Sequence, residues 1–164
     1  MLGRSNVGKS SLINALVGRR IARTSATPGK TQYLNAFRFP TFHLLDLPGY
    51  GYARASLVER RRYRRLIDAV IQQRAGVAGV VWLIDIRHPP SKDDMEMRRL
   101  LAAAARPTVI ALTKADKLPR GQRLKAERDR VAELGVAPDD VVVTSSSQGL
   151  GLPELTRRIE RFVG

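Results

Sequence analysis

Apolar residues along this chain fall into two alternating kinds of block. Gly79–Ile86, Thr108–Leu112 and Val141–Val143 are short, almost unbroken apolar runs, the pattern of strands covered on both faces. Between them apolar residues recur three and four positions apart, the helical period. Leu12, Ile13, Leu16 and Val17 mark one face of a helix over Lys9–Val17, with Gly18 as its stop. Tyr63, Leu66, Ile67, Val70 and Ile71 form the stripe of a helix over Leu57–Arg74. Ser91 caps a third helix running to Ala105, with Asp94 at the capping-box position. A charged helix over Gln122–Leu134 stops at Gly135, and a last one starts at Pro153 and runs to Phe162. Thr31–Phe39 and Thr41–Leu45, divided by Pro40, predict an antiparallel pair, and residues 19–30, with Pro28-Gly29, predict a loop. Strands alternating with helices predict a single α/β domain over residues 1–164, a mostly parallel sheet with helices on both faces.

Composition narrows this picture. The 164 residues suffice for one domain with a core, and no apolar run is long enough to cross a membrane. Gly3-Arg4-Ser5-Asn6 breaks any hydrophobic leader, and the absence of cysteine excludes disulfides and thiol chemistry, so a cytoplasmic monomer is expected. Lys and Arg number 29 against 15 Asp and Glu, a net charge of +14. That excess suits a polyanionic partner, nucleic acid first, although arginine-rich codon usage produces the same balance.

Three short motifs carry the chemistry. Gly3-Arg4-Ser5-Asn6-Val7-Gly8-Lys9-Ser10 matches the phosphate loop G-x-x-x-x-G-K-[ST] and opens a predicted helix. Its glycines let backbone N–H groups converge on phosphate oxygens, and the helix adds its positive end. Lys9 is placed to reach the β- and γ-phosphates, Ser10 to bind Mg²⁺, and Ser11 lies beside them. Asp46-Leu47-Pro48-Gly49 ends a predicted strand, where a carboxylate holds Mg²⁺ through water and the Gly49 N–H can bond the γ-phosphate. Thr113-Lys114-Ala115-Asp116 follows another strand. Guanine presents two adjacent donors, N1–H and N2–H₂, and one carboxylate at Asp116 accepts both, whereas adenine lacks that pair. The Lys114 stem can lie over the base, and Thr113 stands where Asn is usual. The run Ser145-Ser146-Ser147 after the last strand lets a backbone N–H near Ser146 approach the guanine O6. Thr31 is the candidate to close on Mg²⁺, with Thr27 as alternative. Each motif alone also reads as an ordinary turn; their conjunction and order predict a Ras-like P-loop GTPase fold binding GTP or GDP. Only Met1 and Leu2 precede the phosphate loop, so its first strand is expected to be largely missing and the domain truncated at that end.

The chain resembles the EngB family of bacterial GTPases from Gly3 to its last helix. The likeness rests on Gly3–Asn14, on Thr27-Pro28-Gly29-Lys30-Thr31-Gln32, and on Asp46-Leu47-Pro48-Gly49-Tyr50-Gly51-Tyr52-Ala53. Asp85-Ile86-Arg87-His88-Pro89-Pro90-Ser91 and Thr113-Lys114-Ala115-Asp116-Lys117 complete it. The resemblance implies GTP binding, slow hydrolysis and a role in assembling the large ribosomal subunit, with that subunit or its rRNA as partner and no DNA. Tyr50 stands where many GTPases keep a water-orienting Gln, and no arginine finger can be assigned, so hydrolysis is expected to need a partner. In GTPases that combine a residue like Asn6 with an apolar group in the Gln position, K⁺ can bind beside the phosphates; alternatively Asn6 only shapes the loop. Arg60, Arg61, Arg62, Arg64 and Arg65 suit phosphate contacts to RNA, or a solvated helix face. His43 and His88 read as structural, with no metal spacing. A nucleotide-gated binding module with incidental hydrolysis, and an inert fragment, are the competing readings.

Overall fold

The computed structural model describes residues 1–22, 34–51 and 56–164. Thr27, Pro28, Gly29, Lys30, Thr31, Gln32, Tyr52 and Ala53 of the sequence reading lie outside the described residues. In chain order the described elements are β1 (Leu2–Gly3), α1 (Lys9–Val17), β2 (Asn35–Arg38), β3 (His43–Asp46), α2 (Leu57–Asp68), β4 (Val80–Asp85), α3 (Lys92–Ala104), β5 (Thr108–Thr113), α4 (Arg120–Leu134), β6 (Val141–Val143) and α5 (Leu152–Glu160).

Parallel strands β1, β4, β5 and β6 form a sheet in the spatial order β1-β4-β5-β6, and β2 and β3 pair antiparallel. Period-two alternation divides the sheet's side chains between two faces. Val80, Trp82 and Ile84 of β4, with Ile110 and Leu112 of β5, join Ile67, Ile71, Met97, Leu101 and Leu134 from α2, α3 and α4 and the turn after α2. Val81 and Leu83, with Val109 and Ala111, join Leu12, Ile13, Leu155 and Ile159 from α1 and α5. Burial on both faces is why these strands are written as unbroken apolar runs.

The first strand is indeed only two residues long, yet it links the two sets of strands. Leu2 and Gly3 pair with Trp82 and Leu83 on one side. On the other, the Met1 amino group donates to the Leu45 carbonyl (2.5 Å), and the Leu47 N–H donates to the Met1 carbonyl (3.1 Å). Farther along, the Tyr50 N–H donates to Gly3 O (3.2 Å) and the Ser5 N–H to Tyr50 O (2.9 Å). Between Leu47 and Tyr50 the β3 side has one residue more than the β1 side, so Pro48 and Gly49 bulge from the ladder. Beside this short strand, Phe42, Leu44, Val70, Ile71, Val81 and Phe162 line an apolar slot of about 510 Å³.

The helix after the second motif runs nearly as far as its apolar stripe predicts, to Gln73, but changes type on the way. α2 stops at Asp68, and Ala69–Gln73 continue as a wider π turn. Widening a turn by one residue rotates the chain while keeping Val70 and Ile71 buried, and Arg106 donates to one carbonyl in the turn and two just after it. Its guanidinium reaches Ile71 O (2.9 Å), Arg74 O (3.1 Å) and Val77 O (2.8 Å). Predicted capping held for α3: Ser91 and Asp94 form a reciprocal capping box. α4 begins at Arg120, two residues before the predicted start.

Candidate nucleotide site

Parallel pairing puts Gly3, Asp85, Thr113 and Val143 at the same edge of the sheet, the carboxyl ends where α/β folds bind ligands. Every described residue of the three motifs leaves from this edge or from the bulge beside it.

The phosphate loop occupies the turn from β1 into α1. Gly8 takes φ 100° and Asn6 takes φ 65°, left-handed angles that Gly adopts freely and Asn tolerates. A Cβ at Gly3 would fall 3.0 Å from the Leu83 side chain and 2.8 Å from that of Val7, so the loop's first residue must be the smallest. Arg4, Asn6 and Ser11 are exposed, Ser5 and Ser10 half-buried, and Val7 is packed against the sheet. Lys9 is buried and ion-paired with buried Asp46 from the end of β3. Two charges that each need a partner away from water satisfy one another here. Gly49 crosses the loop closely: a Cβ on it would lie 3.0 Å from the Ser5 nitrogen and 3.1 Å from Ser5 Oγ.

The turn after β5 is bound to the phosphate loop from behind. Thr113, in the place where Asn is usual, is buried, and its hydroxyl lies 2.7 Å from Val7 O and 3.2 Å from Ile84 O. The Lys114 backbone is left-handed (φ 63°), which sends its side chain back across Gly8, whose Cβ position lies 3.8 Å from Lys114 Cε. Lys114 Nζ then donates to Asn6 O (2.6 Å) and pairs with Asp85 (2.9 Å). Arg87 closes on the same Asp85 carboxylate through two contacts of 2.8 and 2.9 Å. Partial burial works against ionisation of Asp85, but these cationic donors more than offset it and hold its pKa down to about 2.

Asp116 is half-buried and aimed by Ser145, whose Oγ donates to Asp116 Oδ1 at 2.8 Å. Ser145 is itself buried; its Oγ also lies 3.1 Å from Ser147 Oγ and accepts from the Gln148 N–H (3.2 Å). Backbone bonds lock the two turns together: Ala115 N–H to Thr144 O (3.1 Å) and Thr144 N–H to Leu112 O (2.7 Å). Burial alone would raise the Asp116 pKa, but the Ser145 hydrogen bond and nearby donors set it below the usual carboxylate value. Ser146 is half-buried and Ser147 exposed in the same turn. The structure therefore brings together every described residue of the predicted site.

Sequence reasoning missed the clamp formed by Asp85, Arg87 and Lys114. Asp85 and Lys114 are far apart in the chain, and only the register Asp85↔Thr113 makes them neighbours. It also read Tyr50 only as the absence of Gln. Tyr50 is instead buried, 6% exposed, with its hydroxyl in the core. Both histidines lie where expected, His43 in β3 and His88 in the turn before α3.

Comparison with known proteins gives a consistent result. A family model described as a 50S ribosome-binding GTPase matches residues 1–114. A probable GTP-binding protein EngB from Geobacillus sp. (strain WCH70) is 41% identical over 166 residues, covering 99% of this chain and 86% of that one. Its counterpart in Lactococcus lactis subsp. lactis is 43% identical over 166 residues, covering 99% and 85%. The crystal structure of a probable GTP-binding protein EngB superposes with a TM-score of 0.82 at 24% identity, over 99% of this chain and 96% of that one. Aquifex aeolicus Era bound to GDP·AlF4⁻ superposes with 0.78 at 23% identity, over 99% of this chain and 55% of that one. At such identities the two structures attest the Ras-like P-loop GTPase fold.

Proposed function

Because the chain belongs to the EngB family of GTP-binding proteins, within the 50S ribosome-binding GTPases, we propose that it hydrolyses GTP to GDP and phosphate as a switch in assembly of the large ribosomal subunit. The observation that carries the nucleotide part is the bonding of Thr113 and Lys114 to Val7 and Asn6, which fixes the guanine-reading Asp116 relative to the phosphate loop. A ligand with a guanine at one end and phosphates at the other suits an acceptor tied to a phosphate loop in this way.

Asp46 and Ser10 supply the hard oxygen donors that Mg²⁺ favours, next to a lysine that neutralises phosphate charge. They are the residues that would hold the ion, with Thr31 joining from outside the described residues. When bound, Mg²⁺ neutralises charge developing on the transferred phosphoryl group. Lys9 turns from Asp46 to the phosphates, the phosphate-loop N–H groups cradle them, and Gly49 offers its N–H from the bulge. Asp116 accepts the guanine N1–H and N2–H₂, while Ser146 presents a backbone donor to O6. Asn6 takes a left-handed backbone, and its exposed side chain would be needed as a K⁺ ligand only if the K⁺ reading holds.

No side chain at position 50 faces the phosphates, so we assign the orientation of attacking water to a group delivered by the partner. Arg60, Arg61, Arg62, Arg64 and Arg65 are all exposed on α2, directly after the switch loop, and form the surface we assign to rRNA phosphates. Multiple-turnover GTP hydrolysis with and without large ribosomal subunits tests this reading. Stimulation that weakens as salt rises is expected; a rate indifferent to subunits would favour a binding module with incidental hydrolysis. Equal rates in KCl and NaCl would remove K⁺ from the scheme.

A further inference from the structure

We propose that Tyr50 is a positioning residue of the switch: its buried hydroxyl, held between Trp82 and Asp94, anchors the chain next to Gly49 so that Gly49 stays seated over the phosphate loop in both nucleotide states. The proposal rests on the reading of this site as a GTP-binding switch.

Three observations carry it. First, the hydroxyl sits in a closed relay. Trp82 Nε1 donates to Tyr50 Oη (2.8 Å), and Tyr50 Oη donates to Asp94 Oδ1 (2.7 Å). The second oxygen of Asp94 accepts from the Ser91 N–H (2.8 Å) and the Ser91 hydroxyl (2.7 Å), which together cap α3. Trp82, Asp94 and Tyr50 are all buried, so withdrawing the tyrosine would leave an indole N–H and a carboxylate oxygen without partners in the core. Burial, then the neighbouring Asp94 charge, push the tyrosine pKa well above its ordinary value, so the hydroxyl remains a donor throughout the physiological range.

Second, the Tyr50 backbone is fixed as firmly as its side chain, by the bonds to Gly3 and Ser5 on either side. Leu47 is pinned to Met1 at the other end of the bulge, so Pro48 and Gly49 span two fixed posts. Third, the post is closed on its far side: Gly51 has φ 69°, a conformation that other residues rarely adopt, and a Cβ there would meet Asp93 Oδ2 at 3.0 Å and Arg4 Nε at 3.1 Å. The position that carries a water-orienting glutamine in other GTPases is thus committed here to holding the γ-phosphate donor in place.

Tyr50→Phe removes only the hydroxyl. The expected result is an approximately tenfold loss of affinity for a non-hydrolysable GTP analogue, with GDP affinity within about twofold of wild type, because only the triphosphate reaches Gly49. Asp94→Asn, which keeps a neutral acceptor in the same place, should show a smaller loss of the same kind. The chain has a single tryptophan, so the indole N–H gives one resonance that reads the relay directly. It should shift in Tyr50→Phe without nucleotide, and in the wild-type protein it should stay put when GDP is exchanged for the analogue. Equal losses for both nucleotides, no loss for either, or an indole resonance that moves on exchange in the wild type would overturn the proposal. A wild type that bound neither guanosine nucleotide would defeat the switch reading and the proposal with it, and the indole shift in Tyr50→Phe would show that the relay itself still existed.

Discussion

The two ends of the nucleotide site are built differently. At the guanine end the acceptor is already aimed: Asp116 is held by Ser145, and Thr113 and Lys114 lash that turn to the phosphate loop. At the phosphate end the charges are turned on each other, Lys9 against Asp46. On the function proposed above, selection of the base would need little rearrangement, whereas engaging the phosphates would require the ion pair to open and Mg²⁺ and phosphate oxygens to replace it. Such a division suits a switch, in which the base keeps the nucleotide in place while the phosphate end changes with its charge.

The largest effect that separates the two ends should come from Lys9→Ala. Leaving Asp46 buried without its partner costs about 3–5 kcal/mol of stability, read by denaturant unfolding. Triphosphate affinity should fall with it, while the preference for guanine over adenine stays intact. Ser145→Ala acts at the other end: loss of one hydrogen bond to a charged acceptor weakens GDP by about tenfold, roughly 1.5 kcal/mol, with little change in unfolding. If Ser145→Ala instead weakened all nucleotides alike, the ends would not be separable. Asp85→Asn should be the mildest. Its depressed pKa means that the folded state favours the carboxylate, so Asp85 stabilises the protein above its unfolded value of about 3.9 and that contribution disappears as pH falls through about 2. Wild type and Asp85→Asn should therefore differ by a constant amount near neutrality and converge between about pH 4 and pH 2 in acid unfolding.

What was legible in the sequence follows the same division by range. Helices and buried strands announce themselves locally, through periodicity and caps, which is why α1 and β6 were placed to the residue and Ser91–Asp94 was recognised as a cap. The motifs stand out in the sequence because binding phosphate, Mg²⁺ or guanine would demand particular groups at short spacing. The contacts that join distant segments were not legible. The Asp85–Lys114 clamp depends on the register of β4 and β5, and the Tyr50–Trp82–Asp94 relay on three elements meeting in the core. Tyr50 was read for the glutamine it replaces, because nothing near it in sequence says which way its ring turns. The π turn after α2 left no mark on a stripe that continues in helical phase through Ile71.

Guanine selection by Asp116 is tested most directly by exchanging the chemistry of that one preformed acceptor. Guanine offers two donors to a carboxylate; xanthine offers one donor and one carbonyl, which suits the amide of an asparagine. Titration of GDP and xanthosine diphosphate against the wild type and Asp116→Asn should show the preference reversed, the wild type favouring GDP and the variant xanthosine diphosphate. A variant that kept the wild-type preference for GDP would show that Asp116 does not read the base.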